Sequence, residues 1–244
     1  MPGNNIDTLI IGGGIIGLLT ARELALAGQS VTVLERNPRA GLESSWAGGG
    51  ILSPLYPWRY PDAVTDLSAI GHLEYPRLAA ELLEATGIDP EYIRSGHLIL
   101  DTEEQDEAKS WAKEFSKKIR LDSKIKYLSR IGRREISVLE PELSENFQAA
   151  LWLPYVGPVR NPRIMKSLIQ DLIQRGVKNS TDMPVEKINT SAGKVGNLET
   201  PAGKWSAGNY LVAAGAWSAT LLEDTGLTLN IEPVRGQMIL FKTE

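Results

Sequence analysis

One turn near the N-terminus limits what this chain can fold into. The apolar run Thr8-Leu9-Ile10-Ile11 leads into Gly12-Gly13-Gly14-Ile15-Ile16-Gly17. A helical stretch then reaches Ala27, and a second apolar run, Val31 to Leu34, ends at Glu35 and Arg36. Strand, G-x-G-x-x-G turn, helix, strand and terminal acid thus fall in register, the acid 18 residues after Gly17. Each part has a task when a dinucleotide is bound. Gly12 permits the tight turn, Gly14 lets the backbone approach a pyrophosphate, and Gly17 lets helix and strand pack closely. The helix N-terminus offers unpaired N–H groups and the positive end of its dipole to phosphate oxygens. Glu35 is placed to accept hydrogen bonds from ribose hydroxyls. The spacing predicts a right-handed βαβ unit that binds a dinucleotide, but not which one.

Along that helix Ile15, Leu18, Leu19, Ala25 and Leu26 form the expected apolar surface, with Arg22 and Glu23 toward water and Gly28 as the C-terminal cap. Next comes Ser44-Ser45-Trp46-Ala47-Gly48-Gly49-Gly50-Ile51-Leu52-Ser53. Consecutive glycines disfavour a regular element, whereas the large apolar flanks disfavour a free linker. Backbone pressed against a flat ligand, with hydroxyls on its polar oxygens, satisfies both. Leu55 to Pro61 is a stiff, aromatic-rich loop. Helices are expected over 63–86, with Leu67, Ile70, Leu73, Leu78, Leu82 and Leu83 facing inward, and over 103–119 and 163–175. Strands are expected at His97–Leu100, 124–128 and 151–154. From Val185 a meander of strands at 186–190, 195–200 and 204–214 follows, broken by Ala192-Gly193 and Ala202-Gly203. It ends in Val-Ala-Ala-Gly215-Ala216-Trp217-Ser218, and a further strand is expected from Pro233 to Phe241.

Composition narrows the partners. A net charge of −4 with no basic run argues against nucleic acid. Cysteine is absent, which excludes disulfides and thiol chemistry, and two histidines are too few for an ordinary zinc site. No apolar run approaches the length of a membrane span, and no signal peptide is visible. A cytoplasmic protein without membrane association is the expectation.

Taken together, these segments are identified with a known family. The fingerprint with Glu35-Arg36, the 44–52 loop, Gly96-His97-Leu98, Leu139-Glu140-Pro141, the meander, Val-Ala-Ala-Gly215-Ala-Trp217-Ser and Pro233-Val-Arg-Gly236-Gln occur in family order. The chain resembles the FAD-dependent D-amino-acid oxidase superfamily, and within it the bacterial glycine oxidases of thiamine biosynthesis. The resemblance implies FAD as cofactor. Gly12, Gly14, Ile15, Ile16 and Gly17 would sit at its pyrophosphate, with Glu35 on the adenosine ribose and Arg36 beside the adenine. Ser44 and Ser45 would hold phosphate and ribityl groups, and Gly49, Gly50 and Ile51 would lie against the isoalloxazine. Val185 would clamp the adenine through its backbone, and Gly215 and Trp217 would line the cofactor. The implied reaction is oxidative deamination of glycine or a similar small amine such as sarcosine, with molecular oxygen reduced to hydrogen peroxide.

The implied fold is α/β, a Rossmann-like FAD-binding domain of the glutathione-reductase type with an incomplete antiparallel α+β substrate domain. Residues 1–86 and 141–222 are assigned to the former, and 87–140 with 223–244 to the latter. In this family the substrate-binding tyrosine and carboxylate-clamping arginine fall beyond the position of Glu244, so the catalytic residues are expected there and the chain reads as the N-terminal two-thirds. Homotetramers occur among relatives, but no feature of the sequence marks an interface for a homo-oligomer. Two other readings stay open. One is a truncated flavoprotein fragment without catalysis. The other is an NAD-dependent dehydrogenase, which leaves the 44–50 loop and the Gly215 strand unexplained.

Overall fold

A computed structural model describes residues 6–100 and 102–239. In chain order it begins with β1 (Thr8–Ile11), α1 (Ile15–Leu26), β2 (Val31–Leu34), α2 (Ser44–Ala47) and α3 (Asp62–Thr86). There follow β3 (His97–Leu100), α4 (Gln105–Lys118), β4 (Ser129–Gly132), α5 (Arg133–Leu139) and β5 (Ala149–Leu153). The chain continues through α6 (Asn161–Gln174), β6 (Lys178–Ser180), β7 (Lys187–Ser191), β8 (Lys194–Thr200), β9 (Gly203–Trp205), β10 (Asn209–Val212) and α7 (Ser218–Leu222). It divides into two compact units. The first comprises 1–48, 84–88 and 161–244, and the second 49–83 and 89–160. These units follow packing and differ from the division drawn from sequence. The segment 49–83 and strand β5 go with the second unit, because β5 is the central strand of that unit's sheet.

The first unit is built on a parallel sheet of order β10-β1-β2-β6. Strands covered on both faces read as continuous apolar or β-branched runs, and all four residues of β1 and of β2 are buried. On one face Leu9, Ile11 and Leu34 form a core with Ile188 and Leu198 of the meander β7-β8-β9, which is itself antiparallel. Its first hairpin turns on Ala192 (φ 51°) and Gly193 (φ 73°), a left-handed pair that suits the twist of a two-residue hairpin. Helix α1 ends as the sequence suggests. Gly28 (φ 84°) donates to the Ala25 carbonyl and Gln29 to that of Leu24, a Schellman closure.

Arg22 does not face water. It is 2% exposed, and its Nε donates to Oδ2 of Asp171 on α6 at 3.1 Å, where Asp171 is 1% exposed. Leu26, expected to pack, is exposed in the last turn of α1. Strand β6 (Lys-Asn-Ser) escaped notice because it has no apolar side chain, yet it extends the sheet beyond β2. The strand expected from Pro233 does not form over 233–239. These residues form no regular element, Val234 being 93% exposed, and Leu240 and Phe241 lie outside the described residues.

In the second unit β3-β5-β4 form an antiparallel sheet, with Ile99, Leu151 and Leu153 packed in one core with Phe115 and Ala108 of α4 and with Tyr127. The strand expected at 124–128 lies instead at β4, and Tyr127 and Leu128 are buried as part of the preceding loop. Helix α3 presents its small residues inward, Thr65, Ala69 and Ala79 with Leu82, while Leu67 (71% exposed), Ile70 (61%), Leu73 and Leu83 face out. Close packing against the small residues has overridden the leucine periodicity. The aromatic loop is pinned rather than free: Arg59 Nε bonds Glu104 at 2.8 Å, Trp58 Nε1 donates to the same carboxylate, and Arg59 lies 4.1 Å over the Tyr56 ring.

Candidate functional site

The sheet order creates the site. From β1 the chain moves outward to β2 and β6, then returns to the opposite side of β1 as β10, so the direction of winding reverses between β1 and β10. Clefts open at the carboxyl ends of parallel strands at such a reversal. The fingerprint turn follows β1 there and Ala213 follows β10. Gly12 adopts φ 110°, its N–H donates to the Leu34 carbonyl at 2.9 Å, and a Cβ on it would stand 2.4 Å from the Ala213 oxygen. A Cβ on Gly17 would stand 2.0 Å from the Gly12 oxygen, so α1 crosses the turn at a distance only glycine allows. Gly14 differs: φ is −75° and a Cβ would meet only Ser45 Oγ at 3.3 Å. Its backbone faces open space, as close approach by a ligand requires.

At the N-terminus of α1, which lacks a side-chain cap at Gly14, Ser45 Oγ accepts the Ile15 N–H at 2.9 Å. Ser44 and Ser45 open α2, which brings their hydroxyls to this end of the cleft. At the end of β2, Glu35 is 6% exposed. Its Oε2 accepts the Gly13 N–H and its Oε1 the Asn37 N–H, both at 2.8 Å. Two backbone donors fix this carboxylate at the cleft wall. Arg36 Nη2 donates to Glu43 Oε1 at 2.7 Å, while its guanidinium carbon lies 3.6 Å from the Trp217 ring centroid. The Arg36 hydrogen bond, helped by Asn37 at 3.3 Å, holds the Glu43 carboxyl below its usual pKa against the opposing effect of burial.

These groups surround one cavity of about 400 Å³. Of the residues expected from sequence, Gly12, Gly14, Glu35, Arg36, Ser44, Ser45, Val185, Gly215 and Trp217 line it. Ile15, Ile16 and Gly17 form the first turn of α1 and do not. Gly49, Gly50 and Ile51 belong to the second unit, where Gly50 accepts the Val159 N–H and Ile51 bridges Pro158. Sequence reasoning passed over Glu43, Met183, Pro184, Glu186, Thr220 and Leu221, which also line it. Met183 is placed there by its N–H, which donates to the Glu35 carbonyl at 2.8 Å and ties the residues after β6 to the acid at the end of β2.

The chain matches the family model described as DAO, FAD dependent oxidoreductase, over residues 7–244. The chain belongs to the DAO family of FAD-dependent oxidoreductases. It is 42% identical over 235 residues to a glycine oxidase of Pseudomonas aeruginosa, covering 96% of this chain and 62% of that protein. A Pseudomonas putida glycine oxidase is 40% identical, with coverage of 97% and 62%. A crystal structure of glycine oxidase from Geobacillus kaustophilus superposes with a TM-score of 0.79 at 28% identity, covering 93% of this chain and 60% of that one. The chain thus spans about three-fifths of the length of the relatives it matches.

The family's cofactor is FAD, and the cavity fits the adenosine-diphosphate half of that molecule. Its volume lies within the range of small-molecule sites. The open backbone at Gly14 and the fixed Glu35 carboxylate at the cavity wall are groups of the kind a pyrophosphate and a ribose require. Among the described residues no group of three or more His, Cys, Asp or Glu is placed to hold a metal ion, and no helix is long and apolar enough to cross a membrane.

Proposed function

We propose that the chain carries the FAD-holding part of an amino-acid oxidase that deaminates glycine or a similar small amine, sarcosine included, within thiamine biosynthesis. The observation that carries the reading is the single cavity at the β1/β10 reversal. There the fingerprint turn, Glu35, Arg36, Val185, Gly215 and Trp217 meet, in a chain 42% identical to a curated glycine oxidase. A bifunctional ThiO/ThiG protein of Trichormus variabilis, 30% identical over 96% of this chain, supports the link to thiamine biosynthesis.

In this reading Gly14 and the first-turn amides of α1 receive the pyrophosphate, with Ser44 and Ser45 supplying hydroxyls beside it. Glu35 accepts from the adenosine ribose, its geometry set in advance by Gly13 and Asn37. Arg36 lies beside the adenine, the backbone at Val185 closes over it, and Gly215 and Trp217 line the cofactor. Gly49, Gly50 and Ile51 are assigned to the isoalloxazine. Bound FAD supplies the oxidant that takes two electrons from the amine and delivers them to molecular oxygen as hydrogen peroxide. The protein's part is to fix the cofactor and orient the amine. Arg59 is paired with Glu104 at 2.8 Å and is not assigned a substrate role.

A second reading is FAD binding by this chain without turnover. One experiment separates the two. The purified chain is mixed with FAD, desalted, and its absorbance near the flavin bands is read before and after anaerobic addition of glycine or sarcosine. Retained flavin that bleaches, with peroxide formed on re-aeration, supports the oxidase. Retained flavin that stays oxidised supports the second reading. No retained flavin sinks both.

A further inference from the structure

Arg36 carries a positive charge for which the adenosine reading, which sets it beside the adenine, has no use. An arginine directly after the acid that ends β2 stands where dinucleotide sites accommodate a 2′-phosphate on the adenosine ribose. A free guanidinium there would recruit such a phosphate by bidentate, charge-assisted hydrogen bonds. In this structure the guanidinium is not free. Its Nη2 is bonded to Glu43 at 2.7 Å, and its flat face rests on Trp217 at 3.6 Å. Asn37 Nδ2 also donates to the same Glu43 oxygen at 3.3 Å, which fixes the carboxylate from a second side. Among the described residues, the charged ones lining the cavity are Glu35, Glu43 and Glu186 against Arg36 alone, so Arg36 is the one cation the lining could offer a second phosphate.

We propose that Glu43 is a specificity-determining residue of this cavity. By holding Arg36 flat against Trp217 it withholds that cation from a 2′-phosphate, and so reserves the site for dinucleotides whose adenosine ribose is unphosphorylated. This rests on the dinucleotide reading above. The Arg36–Glu43 pair is half exposed and adds little to stability. Its effect is on geometry: it converts a phosphate-binding side chain into a stacking surface.

The test is a calorimetric titration of the full chain with ADP and with adenosine 2′,5′-bisphosphate. The wild-type chain is expected to bind ADP and to bind the 2′-phosphorylated probe at least about tenfold more weakly. Glu43→Ala is expected to shift that ratio by about tenfold toward the 2′-phosphorylated probe. Adding Arg36→Gln to Glu43→Ala is expected to abolish the shift, which a merely structural role for Glu43 would not do. A ratio unchanged in Glu43→Ala overturns the proposal, as does a shift that survives in the double variant. No ADP binding by the wild-type chain overturns the dinucleotide reading itself. A thermal melt of each variant confirms that loss of binding is not loss of fold.

Discussion

Gly17→Ala separates packing from ligand contact at the fingerprint. The added methyl would sit 2.0 Å from the Gly12 carbonyl oxygen, with Ile10 Cγ2 at 3.4 Å behind it. A relaxed carbon–oxygen contact is about 3.3 Å, so α1 and the turn must separate by roughly 1.3 Å. Overpacking of this kind costs about 1–3 kcal/mol, here at the upper end because the obstacle is backbone rather than a movable side chain. Alanine returns about 1 kcal/mol through helix propensity, leaving a net loss of about 2 kcal/mol. In a chain of this length that lowers Tm by about 4–8 °C. The same separation displaces the first-turn N–H groups from the pyrophosphate, and FAD affinity is expected to fall at least about tenfold, each 1.4 kcal/mol being one decade. Gly14→Ala is the counterpart. Its methyl meets only a serine hydroxyl at 3.3 Å, and its φ of −75° suits alanine, so the melting temperature is expected to hold while FAD binding is lost. Differential scanning fluorimetry with and without FAD reads both effects. The reasoning is falsified if Gly17→Ala melts at the wild-type temperature, or if Gly14→Ala retains FAD normally.

Further consequences can be measured directly. Asp171→Ala removes the buried carboxylate that Arg22 and Arg175 share, at 3.1 and 2.8 Å. Because exposed Glu23 still offers Arg22 a partner at 3.3 Å, the loss is expected at about 3 kcal/mol, the lower end for a broken buried pair. Urea denaturation would show it, and a loss below about 1 kcal/mol would mean that the pair is structurally idle. Glu35→Ala is expected to weaken FAD retention far more than Glu104→Ala, whose partners are Arg59 and Trp58; equal retention after desalting would remove Glu35 from the site. His72 packs against Phe115 and Tyr127, and burial, reinforced by Arg94, lowers its pKa. The unfolded chain therefore takes up the proton first, so His72 stabilisation is complete above the unfolded value of about 6.5 and declines as pH falls through it. His72→Phe is expected to flatten the stability profile between about pH 7 and pH 5; an unchanged slope would contradict the assignment.

Much of the cleft lining was legible because the signals of its turn and strand ends are local. Three glycines at fixed spacing serve three different backbone needs, and the structure gives each its own reason: the left-handed φ of Gly12, the open face of Gly14, the crossing at Gly17. What failed to show in sequence depends on contacts made across long separations. Arg22 was placed in water because its partner Asp171 is 149 residues away, and no pattern on α1 announces it. Strand β6 has no apolar residue to mark it, since it only extends an edge already anchored by β2. In α3, counting leucines mistook size for direction: the inward face belongs to Thr65, Ala69 and Ala79, which let neighbouring elements approach closely. Glu43 belongs to the same class. It sits in a loop with no motif of its own, and gains a role only when Arg36 and Trp217, 181 residues apart in sequence, are stacked by the reversal of the sheet between β1 and β10. The turn and strand ends that line the cleft are written in short motifs, whereas pairings such as Arg36 with Glu43 and Trp217 are written in the topology.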